Sequence, residues 1–505
     1  KDLLITMSIA SKTNVPSAQT CVLDLPTEIL AFILRKTTKA RFAACQTCNA
    51  LASIIHDVIG YESVTLRTVD QAKALVRHSC GVQSTKIKIR GKHADIILKE
   101  ISGVQNVDLS YCVSITDESM KSLSGVHTIN LEHCMTITDE GVKLLSGVHT
   151  INLKHCKNIT DEGLQALSGV HNIDLSDCQN IRDVGVKALA GVHTINLSGT
   201  SVTDEGVKSL TGVHTIKLDR CNISDEAIKL LSGVHTISLS TTSVTDEGIK
   251  ALQGAHILRL CGTSVTGEAF QALSGVHAVD LTLCGVTEKG VKALKGIHTV
   301  CLDFCKTITD EGIKSLSGVH TISLNNTPIT DKGLQALSGV HEINLYRTLV
   351  TDEGVLALSG VHTIDLSYCE GITDKGLQAL SGVHTIKLAC CDAITDKGIK
   401  FLSGVHDICL SYCNQITNVN ALCGVHTIDL VNTSVTDEGI KSLGGAYMIN
   451  LDDCNAITDD GIKVLEGVNM VCLRNTSATK QGISKWLSDA SILYYGVYLN
   501  NILTQ

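Results

Sequence analysis

Between residues 104 and 473, apolar and polar positions recur in one phrase, seen in VHTINLEHC (126–134) followed by MTITDEGVKLLSG (135–147). The leucine closing its I-x-L step stands at 109, 131, 153 and onward to 473, giving eighteen copies at intervals of 20 to 22 residues. In the first half of the phrase the apolar residues alternate. That period of two predicts a short strand with Ile129 and Leu131 facing inward. In the second half the spacing changes to three and four: Val142 and Leu145 share a face, Lys143 points away, and the segment predicts a short helix. Thr138 stands where an N-cap belongs, Asp139 and Glu140 suit the positive end of the helix, and Ser146-Gly147 stops it.

One strand and one short helix cannot bury their own apolar stripe, so each copy needs its neighbours. The expected architecture is an α/β solenoid, with a curved parallel sheet on the concave side and short helices on the convex side. Eighteen strands at about 4.8 Å each would make a sheet of roughly 80 to 90 Å along its arc. The array is expected over 104–478. YESVTL (61–66) and KIKIRG (86–91) read as two degenerate copies within a leading segment, 61–103. Residues 479–505, with the single tryptophan Trp486, read as a terminal cap, and 1–20 as a disordered or non-native start.

Stacking turns each position of the phrase into a column. Three residues after the strand leucine stands Cys in eleven copies (112, 134, 156, 178, 221, 284, 305, 369, 391, 413, 454) and Thr in the other seven. Both are small and can donate, which suits a buried turn better than a metal or redox ladder. Stacked free thiols also point to a reducing compartment, cytoplasm or nucleus. Histidine fills the second position of the strand motif in fifteen copies, from His127 through His298 to His426. Imidazoles about 5 Å apart can bind metals or anions, or form a stacked, hydrogen-bonding edge. No carboxylate or thiolate joins them at ligand spacing within the unit, which favours the second reading and leaves no metal expected.

The spacing V-x-x-I-x-L-x-x-C with ITDEGL resembles leucine-rich repeats of the cysteine-containing type, over about three quarters of the chain; units of that type are usually longer, which implies a shorter convex helix here. Ahead of the array, CVLDLPTEILAFILRKTTKARFAACQTCNALASIIHDV reads as a helical module over 21–60. LPTEIL (25–30), with Cys45 and Leu51 further on, resembles an F-box, although Cys48 stands where that family has tryptophan. The resemblance implies that Leu25, Pro26, Ile29, Leu30, Phe32 and Ile33 dock on a Skp-type adaptor of a cullin-RING ubiquitin ligase. The alternative is a plain helical cap over the first strand.

Composition narrows the function. With 505 residues, a formal charge of -9, 3% aromatics and three prolines, the chain lacks the basic excess of a nucleic-acid binder, and its core must be aliphatic. No run approaches the roughly 20 apolar residues of a membrane helix. No nucleophile elbow, phosphate loop or complete metal motif appears, so neither enzyme chemistry nor a cofactor is expected. Cys301, Cys409 and Cys472 do occupy strand positions that read as exposed, where a thiol carrying ubiquitin is conceivable.

The residues just before, one after and two after the strand leucine vary while the rest of the phrase is held. Among them Arg259, Asp280, Asp303, Phe304, Tyr346, Arg347, Tyr368, Lys387 and Tyr412 are the candidate contacts for an unknown protein target. Aromatics and Arg are the side chains that anchor interfaces. The expected role is a substrate-recruiting subunit of a Skp-cullin-F-box ubiquitin ligase, with a leucine-rich-repeat scaffold lacking any ubiquitin role as the alternative.

Overall fold

The computed structural model of the protein describes residues 63–78, 86–91, 93–101 and 103–487. The F-box-like module over 21–60, with Leu25, Pro26, Ile29, Leu30, Phe32 and Ile33, lies outside the described residues, as does most of the expected C-terminal cap. The chain divides into two compact units, residues 1–213 and 214–505.

In the first unit seven strands follow one another: β1 (Ser63–Leu66), β2 (Lys86–Ile89), β3 (Asn106–Asp108), β4 (Thr128–Asn130), β5 (Thr150–Asn152), β6 (Asn172–Asp174) and β7 (Thr194–Asn196). Each pairs in parallel with the next, so Val107, Ile129, Ile151, Ile173 and Ile195 lie side by side. Among its described residues the second unit holds thirteen strands, from β8 (Thr215–Lys217) to β20 (Met470–Cys472), in the same parallel register. The strands are three residues long within the array because only Ile and Leu of each phrase must face the core. Ile129 and Leu131 are buried there, together with Val142 and Leu145 from the helical half. Helices are four to six residues over most copies, as in α1 (Asp139–Lys143) and α2 (Asp161–Leu164), often tightening into a 3₁₀ turn. Among the described residues no helix is long and apolar enough to cross a membrane.

The phrase Thr-Asp-x-Gly links one copy to the next. Thr138 caps its helix as its spacing predicts, its hydroxyl accepting the Glu140 N–H at 3.3 Å. Asp139 does more than complement the helix dipole. Its carboxylate accepts the backbone N–H of Thr160 in the next copy at 2.8 Å and the Thr160 hydroxyl at 2.6 Å. Gly163 follows from that bridge, because a Cβ there would lie 2.5 Å from Asp139 Oδ1. The same triad recurs at Asp310, Thr330 and Gly333, and at Asp352, Thr373 and Gly376. Glu140 is left to pair with Lys143 on the exposed face, an arrangement worth little by itself.

Beyond each strand the chain turns a corner two residues after the leucine, in the left-handed region. Tyr111, His133, Phe304, Arg347, Tyr368 and Tyr412 all have φ between 55° and 63°. Holding a non-glycine residue there costs about 1–3 kcal/mol, and two hydrogen bonds offset it. The corner N–H reaches the next copy, as Tyr111 N–H does to the Glu132 carbonyl at 2.8 Å. The N–H before it is taken by a side chain on the strand, as Glu132 N–H is by Asn130 Oδ1 at 3.0 Å.

The Cys/Thr column closes the turn in two ways. Cys156 donates backward to the carbonyl of Leu131 in the preceding copy at 3.1 Å, whereas Thr263 donates to Leu260 of its own copy at 2.7 Å. Copy length follows the choice. Thr copies with a successor span 21 residues, and every 22-residue copy carries Cys. Both side chains are buried hydrogen-bond donors, which is why they interchange.

Gly163→Ala should therefore be destabilising by about 1–3 kcal/mol, since the Cβ either displaces the Asp139 carboxylate or forces the copies apart. The check is the urea midpoint of the full chain, compared with an alanine at an exposed site such as Gln165→Ala, which should leave it unchanged.

Candidate functional site

The candidate target contacts fall in three columns of the second unit, and the structure gives the columns different roles. Asp280 and Asp303 are half-buried and already engaged. Asp280 Oδ1 accepts the Thr282 N–H and hydroxyl at 2.9 and 2.6 Å, and Asp303 Oδ1 accepts the Asn325 N–H and Ser323 hydroxyl at 2.9 and 2.6 Å. Their immediate work is to hold the corners. Arg259 is exposed on its strand, and Lys387 is half-buried, 4.0 Å from Asp365.

Phe304, Arg347, Tyr368 and Tyr412 stand on the left-handed corners, where the fixed backbone presents them to solvent. Tyr346, one residue earlier and half-buried, packs tilted against Tyr368 with ring centroids 5.0 Å apart. A hydrogen bond with Cys390, and then the electrostatic influence of that side chain, push the Tyr368 phenol up to about 12, so it remains a neutral donor at ordinary pH. The corners also expose Leu283 at 60%, and Leu349 stands 69% exposed two residues beyond its own corner. Sequence reasoning passed over both because aliphatic residues in such a chain read as core. Their distance from the strand leucine, two and four residues, was the available signal.

The histidines form a stacked edge. In the first unit His127, His149, His171 and His193 follow one another at ring separations of 4.5, 4.7 and 4.6 Å. In the second, the column runs from His214 to His426 and ends on Tyr447, with the His426–Tyr447 rings 4.9 Å apart. Each Nδ1 typically shares a hydrogen bond with the threonine that follows it, as His149 does with Thr150 at 3.1 Å. Burial, and then the neighbouring imidazoles, hold His149 and His298 below the ordinary histidine value.

Two expectations are corrected here. Cys301, Cys409 and Cys472 are half-buried, not exposed. Burial first, then adjacent carboxylates, push their thiols up to about 12, 12 and 11, which removes the thiolate a covalent carrier needs. The column cysteines are likewise protonated: burial pushes Cys134, Cys178 and Cys413 up to about 12. Second, a carboxylate does join the histidines at ligand spacing. Asp407 replaces the usual threonine, with Oδ2 2.9 Å from His406 Nδ1.

A leucine-rich-repeat family model matches residues 148–168, 171–190 and 361–381, and the chain carries leucine-rich repeats. No curated protein matches it. Among solved structures it is similar to an internalin from Listeria monocytogenes, at 16% identity and a TM-score of 0.41, covering 62% of this chain and 89% of that one. A leucine-rich-repeat protein of Leptospira interrogans shares 14% identity at a TM-score of 0.44, covering 80% and 99%. The Toll–Spätzle complex of Drosophila shares 12% at 0.45, covering 83% and 61%.

Two outcomes follow from the columns. The unfolded chain has histidines near the reference value of about 6.5, so with His149 and His298 depressed the folded state binds fewer protons. Stability is then fully present above about 6.5 and falls as pH drops toward the depressed values. The melting temperature should be lower at pH 5.5 than at 7.5; equal values would show that the column carries no proton-linked stability. For the thiols, mass-spectrometric mapping of iodoacetamide labelling at pH 8 should find Cys423, the exposed thiol among the described residues, modified well before Cys156 or Cys409.

Proposed function

We propose that the repeat array is a protein-binding scaffold, and that its target seats on the strand-end corners between the copies closing at Leu302 and Leu410. One observation carries this reading. In a chain with only 3% aromatics, Phe304, Tyr368 and Tyr412 stand solvent-exposed beside Tyr346 and Arg347, on corners whose backbone is tied by hydrogen bonds to the next copy. Large rings and guanidinium groups on a pre-set backbone lose little freedom on binding, which makes them efficient anchors. Arg259 precedes this region and Lys387 lies within it as polar contacts, while Asp280 and Asp303 contribute mainly by holding the corners.

The finer reading is that the scaffold recruits its target to a Skp-cullin-F-box type ubiquitin ligase. LPTEIL at 25–30 supports it, through Leu25, Pro26 and Ile29 as the apolar contacts to a Skp-type adaptor. In that arrangement the ligase chemistry belongs to other subunits. The chain raises the effective concentration of a target lysine near the charged conjugating enzyme. The reading places the protein in the cytoplasm or nucleus, where the many unpaired thiols stay reduced. The competing reading is a repeat scaffold whose first sixty residues only cap the array.

Co-purification with a recombinant Skp-type adaptor separates the two. Stable capture by the full chain, lost in Leu25→Ala/Pro26→Ala/Ile29→Ala, is expected of a ligase adaptor, and no capture by either protein leaves the plain scaffold. Once a partner is in hand, Tyr346→Ala/Arg347→Ala/Tyr368→Ala should weaken its binding by at least about 2 kcal/mol, and unchanged binding would move the contact elsewhere.

A further inference from the structure

The residue following each column histidine is threonine in ten of fifteen copies and a carboxylate in two, Glu342 and Asp407. The two carboxylates behave differently. Glu342 Oε1 lies 3.9 Å from His341 Nδ1, a nitrogen left without a hydrogen bond. The shorter Asp407 enters the row of ring nitrogens. Its Oδ2 is 2.9 Å from His406 Nδ1 and its Oδ1 is 3.8 Å from His426 Nδ1. On the other side His384 stacks on His406 at 4.6 Å, and one ligand atom each from His384, His406 and Asp407 lies within 4.8 Å of the other two.

A second feature falls in the same copy as Asp407. The copy closing at Leu410 is the shortest, 20 residues to Leu430, and in place of Thr-Asp-x-Gly it carries Thr417-Asn418-Val419-Asn420. Its helix is reduced to a 3₁₀ turn, Asn420–Leu422. Asn418 stands where the bridging aspartate belongs, and the next cap position, Thr436, donates its N–H only to the Thr417 carbonyl, at 3.3 Å. The carboxylate bridge that joins most copies on the helical side is thus missing between this copy and the next, as it also is after Gly267, where the Thr287 N–H turns to the Thr266 carbonyl.

We propose that His384, His406 and Asp407 bind a divalent first-row transition ion of the zinc class, with His426 or water completing the shell, and that the ion fastens the strand of this irregular copy to its neighbour. Two imidazole nitrogens and one carboxylate oxygen suit zinc, cobalt or nickel and not the all-oxygen shells of calcium and magnesium. In a tetrahedron, ligand bonds of about 2.0–2.2 Å place donor atoms about 3.3–3.6 Å apart, and His406 Nδ1 and Asp407 Oδ2, at 2.9 Å, are already close to that spacing. His384 and His426 come into range by turning about their outer side-chain torsion, which is broad for histidine, exchanging their bonds to Thr385 and Thr427 for the ion. The carboxylate selects this place in the column: the other carboxylate following a column histidine, Glu342, stands off at 3.9 Å from its ring, whereas Asp407 enters the row and offsets the charge the ion brings.

The test uses the full chain, stripped with chelator and titrated with Zn²⁺ against a chromophoric competitor and with Co²⁺ by visible absorption. Asp407→Thr restores the residue most copies have at this position, so it keeps the fold. Glu342→Thr is the matched control. The expected result is a tight site whose affinity falls at least about ten-fold in Asp407→Thr, with loss of its Co²⁺ band and of the Zn²⁺-induced rise in melting temperature, while Glu342→Thr binds as wild type. Absence of a tight site in the wild type overturns the proposal. So does an Asp407→Thr protein that keeps the same number and affinity of sites, because binding would then belong to the unmodified column or to cysteines elsewhere in the chain.

Discussion

The carboxylate bridge from one copy to the next is the constraint on which the array depends. An aspartate such as Asp139 satisfies the first backbone donor of the following helix and the hydroxyl that caps it, in the same contact. The bridge fixes the separation of adjacent copies on the helical side, just as the parallel strand ladder fixes it on the other. It also explains why the phrase tolerates nothing larger than glycine two positions after that aspartate in most copies: the oxygen of the preceding aspartate occupies the space a Cβ would need. Helices of four or five residues would be marginal alone. Here their length matters little, because capping and packing both come from the neighbour.

Once spacing is fixed at both edges, every position of the phrase becomes a column, and column neighbours determine the chemistry. Imidazoles are brought to ring separations of 4.4 to 5.0 Å, and at His149 and His298 burial and then the neighbouring rings disfavour proton uptake. Thiols that would ionise in solution are buried one above another and stay protonated. The corners add the opposite case, side chains of varied type held outward on a strained but hydrogen-bonded backbone. A surface built this way changes its recognition residues copy by copy without disturbing the core, which suits a protein-binding scaffold.

The fold was legible because the phrase switches from period two to a helical period within each copy, and the repetition removes ambiguity about where strand and helix begin. The role of Asp139 was not, since a helix-dipole argument treats Asp139 and Glu140 alike. A distinguishing signal existed: copies such as Asp331-Lys332, Asp374-Lys375 and Asp396-Lys397 give up the glutamate but keep the aspartate. The left-handed corners were hidden by residues that seldom adopt that conformation, Tyr, Phe and Arg among them. Gly199, Gly262, Asn326 and Asn432 at the same distance from the strand leucine carried the hint. The half-burial of Cys301, Cys409 and Cys472 depended on neighbours from adjacent copies, which alternation along one strand cannot supply.

In a chain of near-identical copies, what every copy shares must serve stacking, so individuality has to be sought where a copy departs from the phrase. Departures at solvent-facing positions accumulate cheaply, and the aromatic corners carry weight only because several lie together in a chain poor in aromatics. Departures at positions that contact neighbours are different in kind, because they alter a joint and must be accommodated on the spot. Asp407 and the missing bridge at Asn418 are two such departures in one copy. The first places a carboxylate among three imidazoles, and the second removes one from between two helical turns. Their coincidence in one copy ties the chemistry of the histidine edge to the mechanics of the array.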